Sequence, residues 1–163
     1  MIGNDVVDIA ASRIESNWKR KGFLEKIFTK QEQELIKRAS DPELYVWILW
    51  SMKEAAYKVY NRETGIRAFI PHELACQVNV VSQQAYQGTV TCRGGEYCTT
   101  TTVSNGVIHT IAVYTFLKDK KVTEVSGNVF KDANGWPYIY RSGLKIPVSK
   151  SSHGKSTTVV AFQ

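Results

Sequence analysis

The pattern of hydrophobic and polar residues changes near Arg62, with helical periodicity before it and strand-like alternation after it. The first ten residues are rich in Val and Ile and predict a strand, although two carboxylates interrupt it. Residues 12–21 predict a helix that ends at Gly22, since glycine often follows the last helical residue.

Two further helices have clear start signals. The segment Thr29-Lys30-Gln31-Glu32 matches a capping box, in which the Thr and Glu side chains each bond the other residue's backbone N–H. It predicts a helix from Lys30 to about Ala39. Asp41 and Pro42 suit the N-cap and first position of another helix, which should continue to about Tyr60.

The second part of the chain predicts strands. Asn105-Gly106 and Asn134-Gly135 indicate tight hairpin turns. The strand-like runs, rich in Thr, Val and Tyr, are Ala75–Val81, Gly88–Cys92, Tyr97–Val103, Val107–Phe116 and a last strand, Ser156–Phe162. This order predicts an α+β fold, with an antiparallel sheet packed against a long central helix.

Composition narrows the class of protein. With 163 residues and 43% hydrophobic residues, residues 1–163 are expected to form a single domain. No apolar run reaches membrane-spanning length and no signal peptide is apparent, so we expect a cytoplasmic protein. Three cysteines without CxxC spacing argue against a disulfide framework or zinc site. The net charge of +6 favours anionic partners without choosing among them.

The helix that begins at Pro42 has two distinct faces. Trp47, Trp50, Glu54 and Lys58 share one side, so a charged pair lies among tryptophans. The opposite stripe should face the core and consists of Tyr45, Ile48, Leu49, Met52, Ala55, Ala56 and Val59. A Glu–Lys pair one turn apart is usually a surface ion pair, but a half-buried one suggests a metal or phosphate ligand.

The first strand supplies further acidic candidates. Asp5 and Asp8 are three residues apart, so they point to opposite sides of a strand and only one easily faces the site. Asp8 also suits an N-cap or loop position before the following helix.

These motifs resemble, in order, those of the 4′-phosphopantetheinyl transferases, in particular the holo-acyl-carrier-protein synthases. The resemblance covers nearly the whole chain, although Asn4 and Lys150-Ser151 stand where apolar residues are more typical. The matching segments are Gly3-Asn4-Asp5, Phe28-Thr29-x-x-Glu32, Trp50-Ser51-Met52-Lys53-Glu54-Ala55-x-x-Lys58, Gly135-Trp136-Pro137 and Ser152-His153.

The resemblance implies the fold of that family and roles for individual residues. Asp5 and Glu54 would bind Mg²⁺, and Glu54 with Lys58 would form the catalytic pair. Coenzyme A would be held by Lys58, Ser152 and His153, with Lys53 as a further candidate. Lys53 lies about 100° around the helix from Glu54, so Lys58 is preferred. Taken alone, His153 could equally be an ordinary structural histidine.

The implied reaction moves the 4′-phosphopantetheine arm of coenzyme A to a serine of an apo acyl or peptidyl carrier protein, with Mg²⁺ neutralising phosphate charge. The serine proton would go to Glu54 or a metal-bound water. Basic residues after the first strand (Arg13, Lys19, Arg20, Lys21) could receive an acidic carrier, or could simply be a solvated face.

The pathway, whether fatty acid, polyketide or peptide synthesis, stays open. With one copy of each motif, we expect a homo-oligomer, such as a trimer, that completes its site at an interface. A nucleic acid is not expected as a partner, because no RNA- or DNA-binding motif is present. A membrane is not expected either, because no apolar run is long enough to span one. The alternative function is a non-catalytic relative that only binds coenzyme A or a carrier protein.

Overall fold

The structure is a computed structural model that describes all 163 residues. Helices α1–α4 span Ile9–Glu15, Phe23–Ile27, Lys30–Arg38 and Pro42–Thr64. Strands β1–β5 span Ile2–Asp8, Ala75–Ser82, Ala85–Cys92, Gly95–Ser104 and Val107–Tyr114. Strands β6–β11 span Val122–Glu124, Phe130–Lys131, Pro137–Arg141, Leu144–Pro147, Ser149–His153 and Ser156–Phe162. A 3-10 turn covers Thr115–Leu117.

The strands form three antiparallel sheets. The largest has the order β1-β5-β4-β3-β2, and α4 lies across it. The two small sheets have the orders β10-β11-β6 and β7-β8-β9. Helix α4 and the five-stranded sheet enclose most of the buried apolar side chains. The predicted α+β class with an antiparallel sheet is therefore confirmed. None of the helices combines the length and hydrophobicity needed to cross a membrane.

Several local predictions agree with the structure. The capping box at Thr29 is present, and Asp41 caps α4, which runs four residues past the predicted end. Asn105 and Gly106 both have positive φ angles in the turn between β4 and β5, as a two-residue hairpin requires. The Asn134-Gly135 turn joins β7 to β8, and β11 has the predicted bounds.

The helix predicted over residues 12–21 is wrong in position. Helix α1 starts earlier because Asp8 is its N-cap and accepts hydrogen bonds from two backbone N–H groups. It ends at Glu15, and Asn17 then accepts a hydrogen bond from the Lys19 backbone in a local turn. Gly22 does not end this helix, since it precedes α2 with a φ of 83°.

The free edge of β1 is covered by side chains rather than by another strand of its sheet. The N–H groups of Asn4, Val6 and Asp8 donate to Ser149 Oγ, Ser151 Oγ and His153 Nδ1, at 2.9, 3.1 and 2.9 Å. All three acceptors lie on one face of β10, because alternate residues of a strand share a face. Edge strands carry unpaired backbone groups that need partners, and β10 supplies these.

This contact includes residues at both departures from the family pattern. Asn4 and Lys150-Ser151 stand where apolar residues are typical, and of these Asn4 and Ser151 lie where β1 meets β10. The Asn4 side chain also donates to the carbonyl of Thr158, on the neighbouring strand β11. The β10 serines thus satisfy N–H groups of β1, while Oδ1 of Asn4 is buried without a hydrogen-bond partner.

Candidate active site

Helix α4 has the two faces that its sequence predicts. The core stripe is buried except for Tyr45, its first residue, which remains partly exposed. On the opposite side Trp47 is buried, while Trp50, Glu54 and Lys58 are partly exposed. The charged pair therefore lies where water is largely, but not fully, excluded.

Strand β1 makes its closest approach to α4 at Gly3. A Cβ atom here would lie 2.0 Å from the backbone oxygen of Ala55 and 3.1 Å from Cγ2 of Val59. Glycine within a strand often marks such a close approach. The approach brings Asp5, two residues further on, to the helix, where its Oδ1 lies 3.6 Å from Nζ of Lys58.

The two oxygens of the Asp5 carboxylate have different surroundings. Oδ1 accepts a 3.0 Å hydrogen bond from the Ser151 hydroxyl and faces the Lys58 ammonium. Oδ2 is buried without a hydrogen bond, and the equally unpartnered Ser51 hydroxyl lies near the carboxylate. Burial raises the pKa of Asp5, while the charge of Lys58 opposes the rise. A buried carboxylate oxygen without a partner is stabilised by a cation.

Glu54 lines the same cavity as Asp5. Its pKa is raised to about 7, first by burial and then by the negative charge of Asp5, with Lys58 acting in the opposite direction. The cavity has a volume of about 370 Å³. Its wall combines carboxylate, hydroxyl and imidazole groups with six apolar residues: Val6, Val7, Phe23, Ile27, Trp47 and Trp50.

Lys58 stands beside a second cavity. Its Nζ donates a 2.6 Å hydrogen bond to the backbone oxygen of Asn4, and burial lowers its pKa while the nearby carboxylates oppose this. The second cavity, of about 450 Å³, shares Ser152 with the first and includes Gly135-Trp136-Pro137 in its wall. It has five cationic side chains and no carboxylate: Lys58, Arg62, Arg67, Lys131 and Lys150. This groove suits a phosphorylated ligand.

His153 is held in one tautomer. The backbone N–H of Asp8 donates to Nδ1, so the ring proton of the neutral imidazole is on Nε2. Nε2 lies 3.0 Å from Oε2 of Glu15, at the wall of the first cavity. The Nε2 proton of the neutral ring therefore points to the Glu15 carboxylate, which takes the donor that a phosphate would use.

Lys53 is not brought together with these residues. It is 1% exposed, and its Nζ lies 2.8 Å from Oε2 of Glu32, which is fully buried. The ammonium also donates to the backbone oxygens of Pro71 and Leu74. The lysine of the Lys-Glu motif and the glutamate of the Phe-Thr-x-x-Glu motif thus form one internal ion pair. Lys53 has a structural position rather than a place at either cavity.

Two residues at the site were not predicted. Glu15 stands at the end of α1, and its contact with His153 depends on the fold alone. Ser151 bonds both β1 and Asp5. The serines and histidine at alternate positions 149, 151 and 153 were a usable signal, because they share one face of a strand.

Comparison with known proteins places the chain in a family. The family model described as the 4′-phosphopantetheinyl transferase superfamily matches residues 1–113. The chain belongs to that superfamily. The match includes Asp5, Glu54 and Lys58 but ends before Ser151, Ser152 and His153.

Two curated relatives are named holo-[acyl-carrier-protein] synthase. The protein from Lachnoclostridium phytofermentans is 37% identical over 78 residues, which are 45% of this chain and 54% of the relative. The protein from Fusobacterium nucleatum subsp. nucleatum is 44% identical over 69 residues, 42% of this chain and 52% of the relative. The chain thus spans about half the length of the curated relatives it matches.

The two carboxylates at the site fit a magnesium ion whose remaining ligands are water and substrate phosphates. No group of three or more His, Cys, Asp or Glu side chains could hold a metal by itself. Asp5 and Glu54 offer two carboxylates, one with an unpartnered buried oxygen. Mg²⁺ is usually bound through one or two carboxylates, with water and substrate phosphates as further ligands.

Proposed function

We propose that this chain transfers the 4′-phosphopantetheine arm of coenzyme A to a serine of an apo acyl or peptidyl carrier protein in a Mg²⁺-dependent reaction. The single observation that carries the proposal is that an acidic cavity, with Asp5 and Glu54, adjoins a basic groove, with Lys58 at the boundary. A substrate that contains a pyrophosphate needs both a cation site and fixed positive charges.

The basic groove is the proposed place of the nucleotide. Adenosine 3′,5′-bisphosphate is both a part of coenzyme A and the leaving group, and it is strongly anionic. Arg62, Arg67, Lys131 and Lys150 surround the groove without a carboxylate among them. These cations would hold the phosphates, while Lys58 would meet the pyrophosphate as a point charge. Ser152 lines both cavities and would contribute a hydrogen-bond donor. His153 lines the first cavity, where a phosphate would have to replace Glu15 as the acceptor of its Nε2–H.

In the reaction, the carrier serine oxygen forms a bond to the phosphorus that bears the pantetheine arm. The bond from that phosphorus to the bridging oxygen of adenosine 3′,5′-bisphosphate breaks, and the bisphosphate leaves with the electron pair. Asp5 and Glu54 would hold Mg²⁺, whose charge would neutralise that of the phosphates. The serine proton goes either to Glu54 or to a water molecule in the cavity, the two bases that the sequence also allowed.

The carrier is proposed to dock near α1. Arg13 reaches Glu43 at 2.6 Å on this surface, and Lys19, Arg20 and Lys21 follow in the turn after α1. An acidic carrier would be steered toward these cations.

We further propose that residues 1–163 act as one domain and that the protein works in the cytoplasm. A homo-oligomer, such as a trimer, remains a prediction, and the carrier can belong to fatty acid, polyketide or peptide synthesis.

The test combines a titration with a transfer assay. Calorimetry should detect coenzyme A binding, and incubation with Mg²⁺ and an apo carrier should release adenosine 3′,5′-bisphosphate. Binding without release, tested against carriers from the protein's own source, would replace the transferase with a coenzyme A-binding relative. Neither binding nor release would contradict both functions.

A further inference from the structure

Ser151 occupies a junction between the backbone of β1 and the side chain of Asp5. Its hydroxyl oxygen accepts the N–H of Val6 at 3.1 Å, and the same oxygen lies 3.0 Å from Oδ1 of Asp5. A serine hydroxyl has one proton and accepts through its lone pairs. Because Val6 uses a lone pair, the proton is free to be donated to Asp5, whose ionised carboxylate can only accept.

This hydrogen bond distinguishes the two oxygens of Asp5. Oδ1 is engaged by Ser151 and lies 3.6 Å from the Lys58 ammonium. Oδ2 is buried and makes no hydrogen bond. A carboxylate held through one oxygen cannot rotate freely, so the other oxygen keeps a fixed direction. Hydrogen bonds of this kind orient the ligands of metal sites.

We infer that Ser151 is a positioning residue, which holds Asp5 by Oδ1 so that Oδ2 is presented to a divalent cation. The inference rests on the proposed function for the cation, but the residue and its role are additional. Ser151 lies outside the part of the chain that the family model matches, and it stands where an apolar residue is typical of the family.

The chain contains a matched control. Ser149 is also buried on β10, and it accepts the N–H of Asn4 at 2.9 Å, as Ser151 accepts that of Val6. The Ser149 hydroxyl bonds the Asn4 backbone N–H, whereas the Ser151 hydroxyl also donates to Asp5. Ser149→Ala and Ser151→Ala therefore each remove one acceptor from the edge of β1, but only Ser151→Ala removes the partner of Asp5.

The test measures cation binding without turnover. Mn²⁺ is added to protein with saturating coenzyme A and no carrier, and free Mn²⁺ is followed by electron paramagnetic resonance against coenzyme A alone. Ser151→Ala should weaken Mn²⁺ binding about tenfold or more, the usual effect of removing a group that orients a metal ligand. Ser149→Ala should change the Mn²⁺ affinity less than about twofold. Both variants should lose a similar amount of thermal stability.

An Asp5→Asn background gives a second readout. If Ser151 acts through the carboxylate, Ser151→Ala should add no further loss of Mn²⁺ affinity in Asp5→Asn protein. Two outcomes would overturn the inference while leaving the transferase intact. One is equal Mn²⁺ affinity of the Ser151→Ala and Ser149→Ala proteins. The other is that Ser151→Ala weakens Mn²⁺ binding by the same factor in the Asp5→Asn background as in the wild type. If wild-type protein with coenzyme A binds no more Mn²⁺ than coenzyme A alone, both the magnesium site and this inference are overturned.

Discussion

At the scale of single residues, burial separates charges that stabilise the fold from charges that face a ligand. Lys53 and Lys58 lie on the same helix, five residues apart. Lys53 is sealed in the core against Glu32, whereas the Lys58 side chain is 27% exposed between two cavities. The motif contains both lysines, and only their surroundings show which can meet a phosphate.

Exchanging each lysine for methionine should give opposite results. Lys53→Met leaves Glu32 buried without its cation, so the free energy of unfolding should fall by about 3–5 kcal/mol. Lys58→Met should cost less than this, because the Lys58 side chain is 27% exposed, although it also removes the cation beside the buried Asp5. The same change should weaken coenzyme A binding about tenfold, the effect of losing one charged hydrogen bond. Chemical denaturation and calorimetry measure both quantities, and equal loss of stability in the two variants would contradict these assignments.

Glu54 should make the metal-free protein less stable as the pH rises. Its pKa is about 7 in the folded chain and near the ordinary value when unfolded, so the folded state binds more protons between these values. The free energy of unfolding should therefore fall from about pH 4.5 to pH 7 by an amount on the order of 3 kcal/mol, and Glu54→Gln should not show this fall. Denaturation in a chelator-containing buffer compares the two, and parallel pH profiles would refute the raised pKa.

At the scale of elements, the site depends on how closely β1 packs on α4. Gly3→Ala would place a methyl group 2.0 Å from the Ala55 backbone oxygen, so strand and helix must separate. We expect a loss of about 1–3 kcal/mol in the free energy of unfolding, as overpacking usually gives. Thermal and urea denaturation measure it. A Gly3→Ala protein as stable as the wild type would mean that the strand does not approach the helix this closely.

The elements differ in how far sequence alone predicts them. The capping box at Thr29, the Asp41 cap and the Asn105-Gly106 turn were predictable because their side chains act on neighbouring backbone groups. The start of α1 required a choice between two roles for Asp8. The alternation at positions 149, 151 and 153 indicated a shared strand face, but not that this face packs on β1, since the hydrogen bonds join residues 145 positions apart.

At the scale of the whole molecule, one chain brings the candidate residues together. Asp5, Glu54 and His153 line one cavity, and His153 bonds the backbone of the strand that carries Asp5. The homo-oligomer was predicted because a site with single motifs was expected to need an interface. Sequence could supply the motifs but not their spatial relation, which depends on the C-terminal strands folding back along β1.

Mixing two inactive variants tests whether the site lies within one chain. Glu54→Gln and His153→Ala remove residues that face the same cavity of the same chain. A mixture of the two proteins, unfolded and refolded together to exchange subunits, should be no more active than either alone. Recovery of about a quarter or more of wild-type transfer, as independent pairing of shared sites would give, would instead place the site between subunits. Light scattering on the same samples gives the oligomeric state.

The intact mass of the carrier protein tests the central claim most directly. Wild-type protein, coenzyme A, Mg²⁺ and an apo carrier from the same source should convert the carrier to a heavier form by one phosphopantetheine group, at its serine. Glu54→Gln, or wild-type protein with a chelator, should leave the mass unchanged. A carrier that keeps its mass with folded wild-type protein, or gains the group equally with Glu54→Gln, would contradict the account.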